Sequence, residues 1–408
     1  MLLAYMLEKF VQRGRLTVID AFGQTRRFGG GPGPVATIRL HDEALHRRLF
    51  LNPQLAVGEA YMDGTLTVEE GSLYDFLALA MSNLATPPRS IFTPLWSGFG
   101  TLFRRWHQHN PVGRSMRNVA HHYDLSDDLY ALFLDSDRQY SCAYFENSDD
   151  DLEVAQLRKK RHIAAKLRLE PGMRVLDIGS GWGGLALYLA RETGVEVTGL
   201  TLSVEQHKVA TERARIAGLA DRVRFHLRDY REDAGQYDRI VSVGMFEHVG
   251  VGHFQAFFNT VHHLLAKDGV AMPHAIGRFE SPGTTNAWLR KYIFPGGYAP
   301  ALSEVLAPVE RAGLCVTDVE ILRLHYAFTL RHWRERFMAR WNDAKALYDE
   351  RFCRMWEFYL TGCEVSFRVG GMMVFQIQMA KAVDAVPITR GYMDAWERAH
   401  PLPARPRI

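Results

Sequence analysis

The stretch that decides the fold is Val175-Leu176-Asp177-Ile178-Gly179-Ser180-Gly181-Trp182-Gly183-Gly184. It predicts a short buried β-strand that breaks into a glycine-rich turn, and the apolar residues 185–190 then begin a helix. Glycines at such a turn let the backbone approach a ligand closely, because they carry no Cβ. The free N–H groups at the start of the helix attract polar or anionic ligand atoms. The stretch therefore predicts a nucleotide-like cofactor at the end of a first strand.

The glycine spacing in this turn fits more than one cofactor. Gly179-x-Gly181-x-x-Gly184 also matches the dinucleotide fingerprint, which for nicotinamide requires an acidic residue about 20 residues further on, at the end of the second strand. Here the predicted second strand is followed by 201–206, and Glu205 falls in the next helix. Asp177, just before the turn, is typical of adenosylmethionine sites. These residues favour adenosylmethionine over nicotinamide, with a tight turn that binds no ligand as the plain alternative.

Length and composition exclude several classes of protein. A chain of 408 residues predicts two domains, each large enough for its own core. The net charge of +3 is too small to indicate a nucleic-acid partner, and none is expected. The four cysteines show no C-x-x-C spacing, which predicts free thiols in a reducing cytoplasm and no metal site. No run of about 18 apolar residues occurs, so we expect any membrane contact to be peripheral.

The order of predicted elements divides the chain into three parts. Residues 1–85 mix short elements, with strands at 16–20 and 36–40 flanking a turn at Gly29 to Pro34, and a helix at 73–81. Residues 86–118 form a predicted linker, and 119–408 form a predicted catalytic domain. Strand and helix alternate there, which predicts a doubly wound α/β sheet with ligands at the carboxyl ends of its strands. The predicted strands are 174–178, 195–200, 223–227, 239–243, 270–274, 314–321 and 372–379.

The linker interleaves aromatic with basic side chains. Such a stretch can lie at a lipid surface or form a hinge helix between domains, and both interpretations stay open on these residues alone. The residues concerned are Phe92, Trp96, Phe99, Phe103, Arg104, Arg105 and Trp106.

Two polar residues lie at or just beyond the ends of the fourth and fifth predicted strands of the sheet. Glu247 and His274 should converge on a pocket beside the cofactor turn, where they could act in acid–base chemistry or hold a small polar ligand. Taken alone, His274 also fits a core histidine with its hydrogen bonds satisfied. Glu247 is harder to explain structurally, because carboxylates are rarely buried. Cys142, between aromatic residues, fits a buried thiol.

Several ordered segments resemble the cyclopropane-fatty-acyl-phospholipid synthases of the mycolic acid cyclopropane synthase superfamily. They span about 120–380, and the N-terminal extension is similar to that of members which act on phospholipids. The segments are His122-Tyr123-Asp124 through Asp128-Leu129-Tyr130, Tyr140 to Phe145, Val175 to Gly184, Thr201 to Gln206, Met245 to Gly250, Lys291 to Gly297, His325-Tyr326-Ala327 and Arg354-Met355-Trp356.

The resemblance implies a fold and a reaction. The fold is a class I adenosylmethionine-dependent methyltransferase, a Rossmann-like seven-stranded doubly wound sheet, with a smaller α+β N-terminal domain that presents lipid. The reaction moves a methyl group from S-adenosylmethionine to a cis double bond of a phospholipid acyl chain, and a bound bicarbonate ion then removes a proton so that a cyclopropane closes. Three alternatives remain: a methyl- or methylene-branched product, a non-catalytic lipid-binding protein, and a nicotinamide oxidoreductase.

The resemblance also implies the site residues. The bicarbonate site carries over to Cys142, Glu247, His274, Ile276 (through its backbone) and Tyr326. Cys363 matches a cysteine once proposed as catalytic in the family, although an olefin needs no thiol nucleophile. Ser180 stands where many relatives have cysteine. The implied cofactor residues are Tyr140, Ser141, Leu176, Asp177, Gly179, Gly181, Trp182, Gly183, Gly184, Thr201, Ser203, Gln206, Tyr230 and Arg231. A homodimer, peripherally associated with the cytoplasmic face of the inner membrane, is expected from the resemblance.

Overall fold

The computed structural model describes residues 2–84 and 125–402 of the chain. The predicted linker with its aromatic and basic residues, the motif His122-Tyr123-Asp124 and the tail beyond 402 lie outside the described residues. Within the described residues the chain divides into two units. The small unit holds 2–84, 284–295 and 327–372, and the large unit holds 125–283, 296–326 and 373–402.

The strands form one sheet in each unit. The four-stranded sheet has the order β2-β1-β3-β4, and the seven-stranded sheet has the order β10-β11-β9-β8-β5-β6-β7. Strands β9, β8, β5, β6 and β7 run parallel to one another, while β10 and β11 pair antiparallel. The strands are β1 Arg15–Ile19, β2 Thr25–Gly29, β3 Val35–Leu40, β4 Leu66–Glu70, β5 Arg174–Ile178, β6 Glu196–Thr201, β7 Val223–Leu227, β8 Tyr237–Val243, β9 Leu265–Arg278, β10 Cys315–Leu322 and β11 Met372–Ala380.

The helices alternate with the strands in the large unit, as predicted for a doubly wound sheet. Short 3₁₀ turns at Tyr230–Glu232, Phe246–His248 and Val251–His253 lie between them. The described α-helices are α1 Leu2–Phe10, α2 Ala44–Leu51, α3 Pro53–Met62, α4 Leu73–Leu84, α5 Asp127–Ala131, α6 Leu152–Leu167, α7 Gly184–Thr193, α8 Val204–Ile216, α9 Phe254–Leu264, α10 Ala287–Tyr292, α11 Leu302–Arg311, α12 His325–Ala339, α13 Trp341–Leu347, α14 Glu350–Val369 and α15 Gly391–Ala399.

Strand β5 has an apolar core on each of its faces. Successive side chains of a strand point to opposite faces of the sheet. Leu176 and Ile178 accordingly join a cluster with the α9 side chains, whereas Val175 joins a separate cluster with the α7 side chains. A strand buried on both faces reads as a continuous apolar run, which is why this sequence pattern was decisive. The predicted seven-stranded doubly wound sheet is confirmed.

Two glycines of the turn after β5 have left-handed backbone that excludes other residues. Gly179 has a φ of 85°, and a Cβ there would lie 2.8 Å from the Met245 Cβ. Gly183 has a φ of 82°, and its added Cβ would meet the Phe225 ring at 2.6 Å. Each glycine therefore permits both a backbone conformation and a close approach.

The small unit contains a strand that the sequence analysis missed. We predicted only a turn between the first two strands, but β2 lies there and pairs antiparallel with β1, while β1 pairs parallel with β3. Only Phe28 of β2 is buried, so this edge strand lacks the alternation that marks a strand in the sequence. Strand β4 was also missed. The α+β class of the N-terminal part is confirmed.

The small unit also includes segments that we had assigned to the catalytic domain. Helix α14 packs against α3 and α4, and its Val365 belongs to the apolar core of the N-terminal residues. Trp288, 1% exposed, donates its indole N–H to the Met62 sulfur at 3.2 Å. The predicted division of roles between accessory domain, linker and catalytic domain stays a prediction.

Among the described residues, none of the helices combines the length and the apolar character that a membrane crossing requires.

Candidate functional site

A cavity in the large unit opens at the carboxyl ends of β5, β6, β7 and β8. Its volume, including open solvent, is about 1190 Å³. The cavity is lined by Arg138, Gln139, Tyr140, Ser141, Asp177, Ile178, Gly179, Ser180, Gly181, Trp182, Gly184, Leu185, Leu200, Thr201, Leu202, Gln206, Arg228, Asp229, Tyr230, Arg231, Val243, Gly244, Met245, His248 and Val249.

Most of the predicted cofactor residues line this cavity, and three do not. Leu176 is fully buried in the core beneath it. Gly183 lies against Phe225, and Ser203 caps α8 by accepting a hydrogen bond from the Gln206 backbone. The eleven that line it are Tyr140, Ser141, Asp177, Gly179, Gly181, Trp182, Gly184, Thr201, Gln206, Tyr230 and Arg231.

Several lining residues were missed by sequence reasoning. Arg138 and Gln139 directly precede the predicted Tyr140, and Arg228 and Asp229 directly precede Tyr230. His248 follows Glu247 and was not singled out. The available signal was position, because each missed residue adjoins a residue that the motifs already placed at the site.

Glu205, the acidic residue that follows the second strand of this sheet, does not belong to the cavity. Glu205 is exposed on α8 and is absent from the lining. Thr201 instead donates its hydroxyl to the Gln206 side-chain oxygen at 3.0 Å, which leaves no carboxylate at the position where a nicotinamide cofactor needs one. This arrangement favours adenosylmethionine.

Asp177 brings a buried carboxyl group to the cavity. The side chain is 1% exposed, and its Oδ2 has no hydrogen-bond partner. Burial raises the pKa of Asp177 to about 7, although the nearby Lys159 ammonium acts in the opposite direction. A carboxyl held near its titration point will ionise readily beside a cation.

Lys159 is a buried residue that bonds to two residues of the cavity lining. It is 1% exposed, and its Nζ donates to the Gln139 Oε1 at 2.7 Å and to the Ser141 Oγ at 2.9 Å. Burial lowers the pKa of Lys159 to about 8. The lysine thereby fixes two lining residues and places a positive charge near both Asp177 and His274.

Glu247 lies in the 3₁₀ turn that follows β8, and backbone hydrogen bonds tie this turn to β9. The Glu247 Oε1 accepts from the Ile276 N–H at 2.6 Å, and the Gly244 N–H donates to the His274 carbonyl at 2.9 Å. The Oε2 is buried and has no partner. Burial raises the pKa of Glu247 to about 7, so the protonated acid is strongly populated at neutral pH.

His274 is buried on β9 and has one orphaned ring nitrogen. It is 2% exposed; its Nδ1 lies 3.0 Å from the Gln376 Nε2, and its Nε2 has no partner. Burial, aided by Lys159 and Lys166, holds the pKa of His274 well below its usual range. The imidazole is therefore neutral. Two unpartnered polar atoms, the Glu247 Oε2 and the His274 Nε2, thus belong to groups anchored to the same short length of β9.

The remaining predicted catalytic residues are divided between the units. In the large unit, buried Cys142 donates its thiol to the Ala143 carbonyl at 3.3 Å, and the Phe145 N–H donates to the His325 Nδ1 at 2.9 Å, beside Tyr326. Cys363 belongs to α14 in the small unit, and burial raises its pKa to about 12. So little thiolate is present at neutral pH that a nucleophilic role is disfavoured.

Comparison with known proteins gives a consistent result. A family model described as mycolic acid cyclopropane synthetase matches residues 111–377. A second model, described as a domain of unknown function, matches residues 6–87.

Named relatives extend this match over most of the chain. A probable fatty acid methyltransferase of Pseudomonas putida is 36% identical over 389 residues, covering 91% of this chain and 93% of the relative. The cyclopropane-fatty-acyl-phospholipid synthase of Escherichia coli K12 is 37% identical over 355 residues, covering 86% and 89%. Among solved structures, the mycolic acid cyclopropane synthase CmaA1 complexed with SAH and CTAB aligns with a TM-score of 0.62 and 36% identity, covering 67% of this chain and 99% of that one.

Proposed function

This chain belongs to the mycolic acid cyclopropane synthetase family and has the fold of a class I adenosylmethionine-dependent methyltransferase, and we propose that it converts cis double bonds in phospholipid acyl chains into cyclopropane rings. The observation that carries the proposal is the pair of buried, unpartnered polar atoms on Glu247 and His274. Neither residue lines the cofactor cavity itself, but both are held at the part of β9 that bonds to Gly244, which does line it. Methylation of an alkene needs a base only after the methyl has been transferred, and a second polar group held by these two residues could be that base.

The reaction balances without a redox partner. The π-electrons of the alkene attack the sulfonium methyl, the S–CH₃ bond breaks, and S-adenosylhomocysteine leaves. The resulting carbocation loses one proton from the transferred methyl, and the electrons of that C–H bond close the third ring bond. Because the alkene has no proton to give up before attack, the protein needs no strong base for the first step. Its tasks are positioning and the exclusion of water that would quench the cation.

The cavity residues fit the charge of adenosylmethionine, which carries a sulfonium and an ammonium. The orphaned carboxyl of Asp177 would ionise beside that cation. Tyr140 and Trp182 line the cavity and pack edge-on against Tyr130, at centroid distances of 5.2 and 5.1 Å, which fixes both rings. Aromatic faces attract a cation within about 6 Å.

The second polar group, which Glu247 and His274 would hold, is a small oxyanion such as bicarbonate in this proposal. Bound there, bicarbonate would supply the base that accepts the proton from the transferred methyl. On the protein side, a protonated Glu247 offers an O–H donor from its buried Oε2, and a neutral His274 offers an N–H donor from Nε2 if the proton resides there. The Ile276 N–H is already used by Glu247, so it acts by fixing that carboxyl group.

Support for a phospholipid substrate comes from the extent of the match. The Escherichia coli relative, named for phospholipid, aligns with 86% of this chain, whereas CmaA1 aligns with 67%. The N-terminal part is therefore shared with the relative named for phospholipid. We also propose that the enzyme is a homodimer that acts peripherally at the cytoplasmic face of the inner membrane. Vesicle flotation and light scattering of the purified protein test these two points.

The test of function uses deuterium. Purified protein is incubated with vesicles of cis-unsaturated phospholipid and adenosylmethionine carrying a fully deuterated methyl, and the acyl chains are analysed by mass spectrometry. A product that has lost one deuterium from that methyl and resists hydrogenation is the expected cyclopropane. Adenosylmethionine binding without any modified chain would instead indicate a lipid-binding protein.

A second candidate is a methyl- or methylene-branched product, favoured by the Pseudomonas putida relative, which is named a probable fatty acid methyltransferase. The first step is the same, and the carbocation ends differently. A product that keeps the whole labelled methyl, or that takes up hydrogen on reduction, would select this alternative.

A further inference from the structure

A chain of buried polar side chains lies behind His274, and the reaction as described does not use it. The Gln376 Nε2 is 3.0 Å from the His274 Nδ1, and the Lys166 Nζ donates to the Gln376 Oε1 at 2.7 Å. Gln376 is 0% exposed and Lys166 is 1% exposed. Buried polar networks of this kind fix a unique arrangement when all of their members are satisfied.

The chemistry of these groups determines which way Gln376 faces. A lysine ammonium has donors only, so the glutamine must present its carbonyl oxygen to Lys166 and its NH₂ group to His274. The His274 Nδ1 then accepts a hydrogen bond. In a neutral imidazole one nitrogen accepts and the other carries the proton, so the proton of His274 resides on Nε2.

Burial lowers the pKa of Lys166, and an ion pair with Glu320 opposes this by favouring the charged form. It contacts Glu320, whose Oε2 also lies 2.6 Å from the His162 Nε2. The other nitrogen of His162 lies 2.6 Å from Glu397. Burial alone would lower the pKa of His162, but its hydrogen bonds to both carboxylates raise the pKa overall. Burial alone would raise the pKa of Glu320, but the hydrogen bonds from His162 and Lys166 lower the pKa overall. The far end of the network is thus a fixed set of ion pairs.

We propose that Gln376 is a positioning residue that holds His274 as the Nε2–H tautomer, so that its unpartnered buried nitrogen is a hydrogen-bond donor. The importance of this donor rests on the proposed function, because a site for an oxyanion needs donors. The opposite tautomer would place a lone pair at the Nε2 and repel the anion. In the native arrangement Lys166 prevents a flip of the Gln376 amide, since a flip would set an NH₂ group against an ammonium.

The substitution Gln376→Glu tests this inference directly. A carboxylate at this position accepts from both neighbours, so it remains paired with Lys166 and draws the His274 proton to Nδ1. Gln236→Glu is the control: it adds the same charge at an exposed side chain outside this network, whose Nε2 donates to the His263 carbonyl at 2.8 Å. Gln376→Met removes the donor without adding charge, and provides a second variant should the carboxylate prevent folding.

The readout is ¹⁵N NMR of histidine-labelled protein, with the His274 signals identified by their loss in His274→Asn. We expect Nε2–H in the native protein and in Gln236→Glu, Nδ1–H in Gln376→Glu, and a mixture in Gln376→Met. Ring formation should fall in Gln376→Glu by about 10–100-fold, the range typical for loss of the hydrogen-bond partner that orients a metal-binding histidine, with adenosylmethionine affinity unchanged. A native Nδ1–H signal, or a tautomer unaltered in both Gln376 variants, would overturn the inference. Full ring-forming activity in a variant with the reversed tautomer would refute the positioning role. If the native protein forms no ring, the proposed function fails, but the NMR signals still test whether Gln376 sets the tautomer of His274.

Discussion

Glu247→Gln should separate stability from function, because burial raises the pKa of the native carboxyl to about 7. Glutamine is isosteric and keeps the oxygen that accepts from the Ile276 N–H at 2.6 Å. It places an NH₂ group, which does not titrate, where the Oε2 lies. The substitution therefore removes one ionisation and little packing, while ring formation should slow severely because the amide is a weaker donor that cannot release its proton.

The magnitude follows from the pKa, which rises from 4.5 in the unfolded chain to about 7 in the fold. A carboxyl whose pKa is raised on folding stabilises the native state fully below the unfolded pKa, and this stability is lost as pH rises through the folded pKa. Each pKa unit is worth ~1.36 kcal/mol, so between pH 5 and pH 8 the native protein should lose about 2–3 kcal/mol through this group. Glu247→Gln should not show this loss.

The assay is urea unfolding of the native protein and the variant at both pH values. The free-energy difference between the two proteins should shift in favour of Glu247→Gln by about 2–3 kcal/mol from pH 5 to pH 8. The same change at exposed Glu205 is the control, and we expect it to stay within ~0.5 kcal/mol. An equal difference at both pH values would refute the reasoning, because it would mean that folding does not raise the pKa of Glu247.

Three further predictions concern the cofactor cavity and the small unit. Asp177→Asn should weaken adenosylmethionine binding above pH 7 and abolish the increase of affinity with pH, because the native carboxyl, with a pKa of about 7, ionises over this range. Calorimetry at pH 6 and pH 8 measures this, and an affinity that still increases with pH in the variant contradicts it. Gly179→Ala should abolish adenosylmethionine binding in the same titration. Left-handed backbone costs alanine ~1–2 kcal/mol, and the new Cβ would lie 2.8 Å from Met245. Native affinity in the variant would contradict this, because it would show that the turn can move to accept a Cβ. Trp288→Ala should lower the free energy of unfolding of the small unit by ~3–5 kcal/mol, measured by thermal unfolding, because this large side chain is buried. Leu84→Ala, at an exposed site, is the control, and an equal loss of stability in both variants would contradict the prediction.

The glycine-rich turn could be predicted from the sequence because its signals are local. An apolar run buried on both faces, followed by glycines whose φ angles are positive, specifies strand, turn and helix within about 15 residues. The same reasoning failed for β2, whose exposed edge position leaves no apolar alternation to read. It also failed for Arg138 and Arg228, which carry no motif of their own and line the cavity only through their neighbours.

The sequence by itself determined the seven-stranded sheet and the cofactor turn, because strand periodicity and motif spacing act over short stretches of chain. The roles of Glu247 and His274 stay predictions. Only the tertiary structure decided that the Glu247 carboxyl is fixed by a backbone N–H of β9, that Asp177 lies above a buried Lys159, and that Gln376 faces His274 across 102 residues of chain. These properties depend on strand register and on burial from water, which set hydrogen-bond partners and pKa values through groups far apart in sequence.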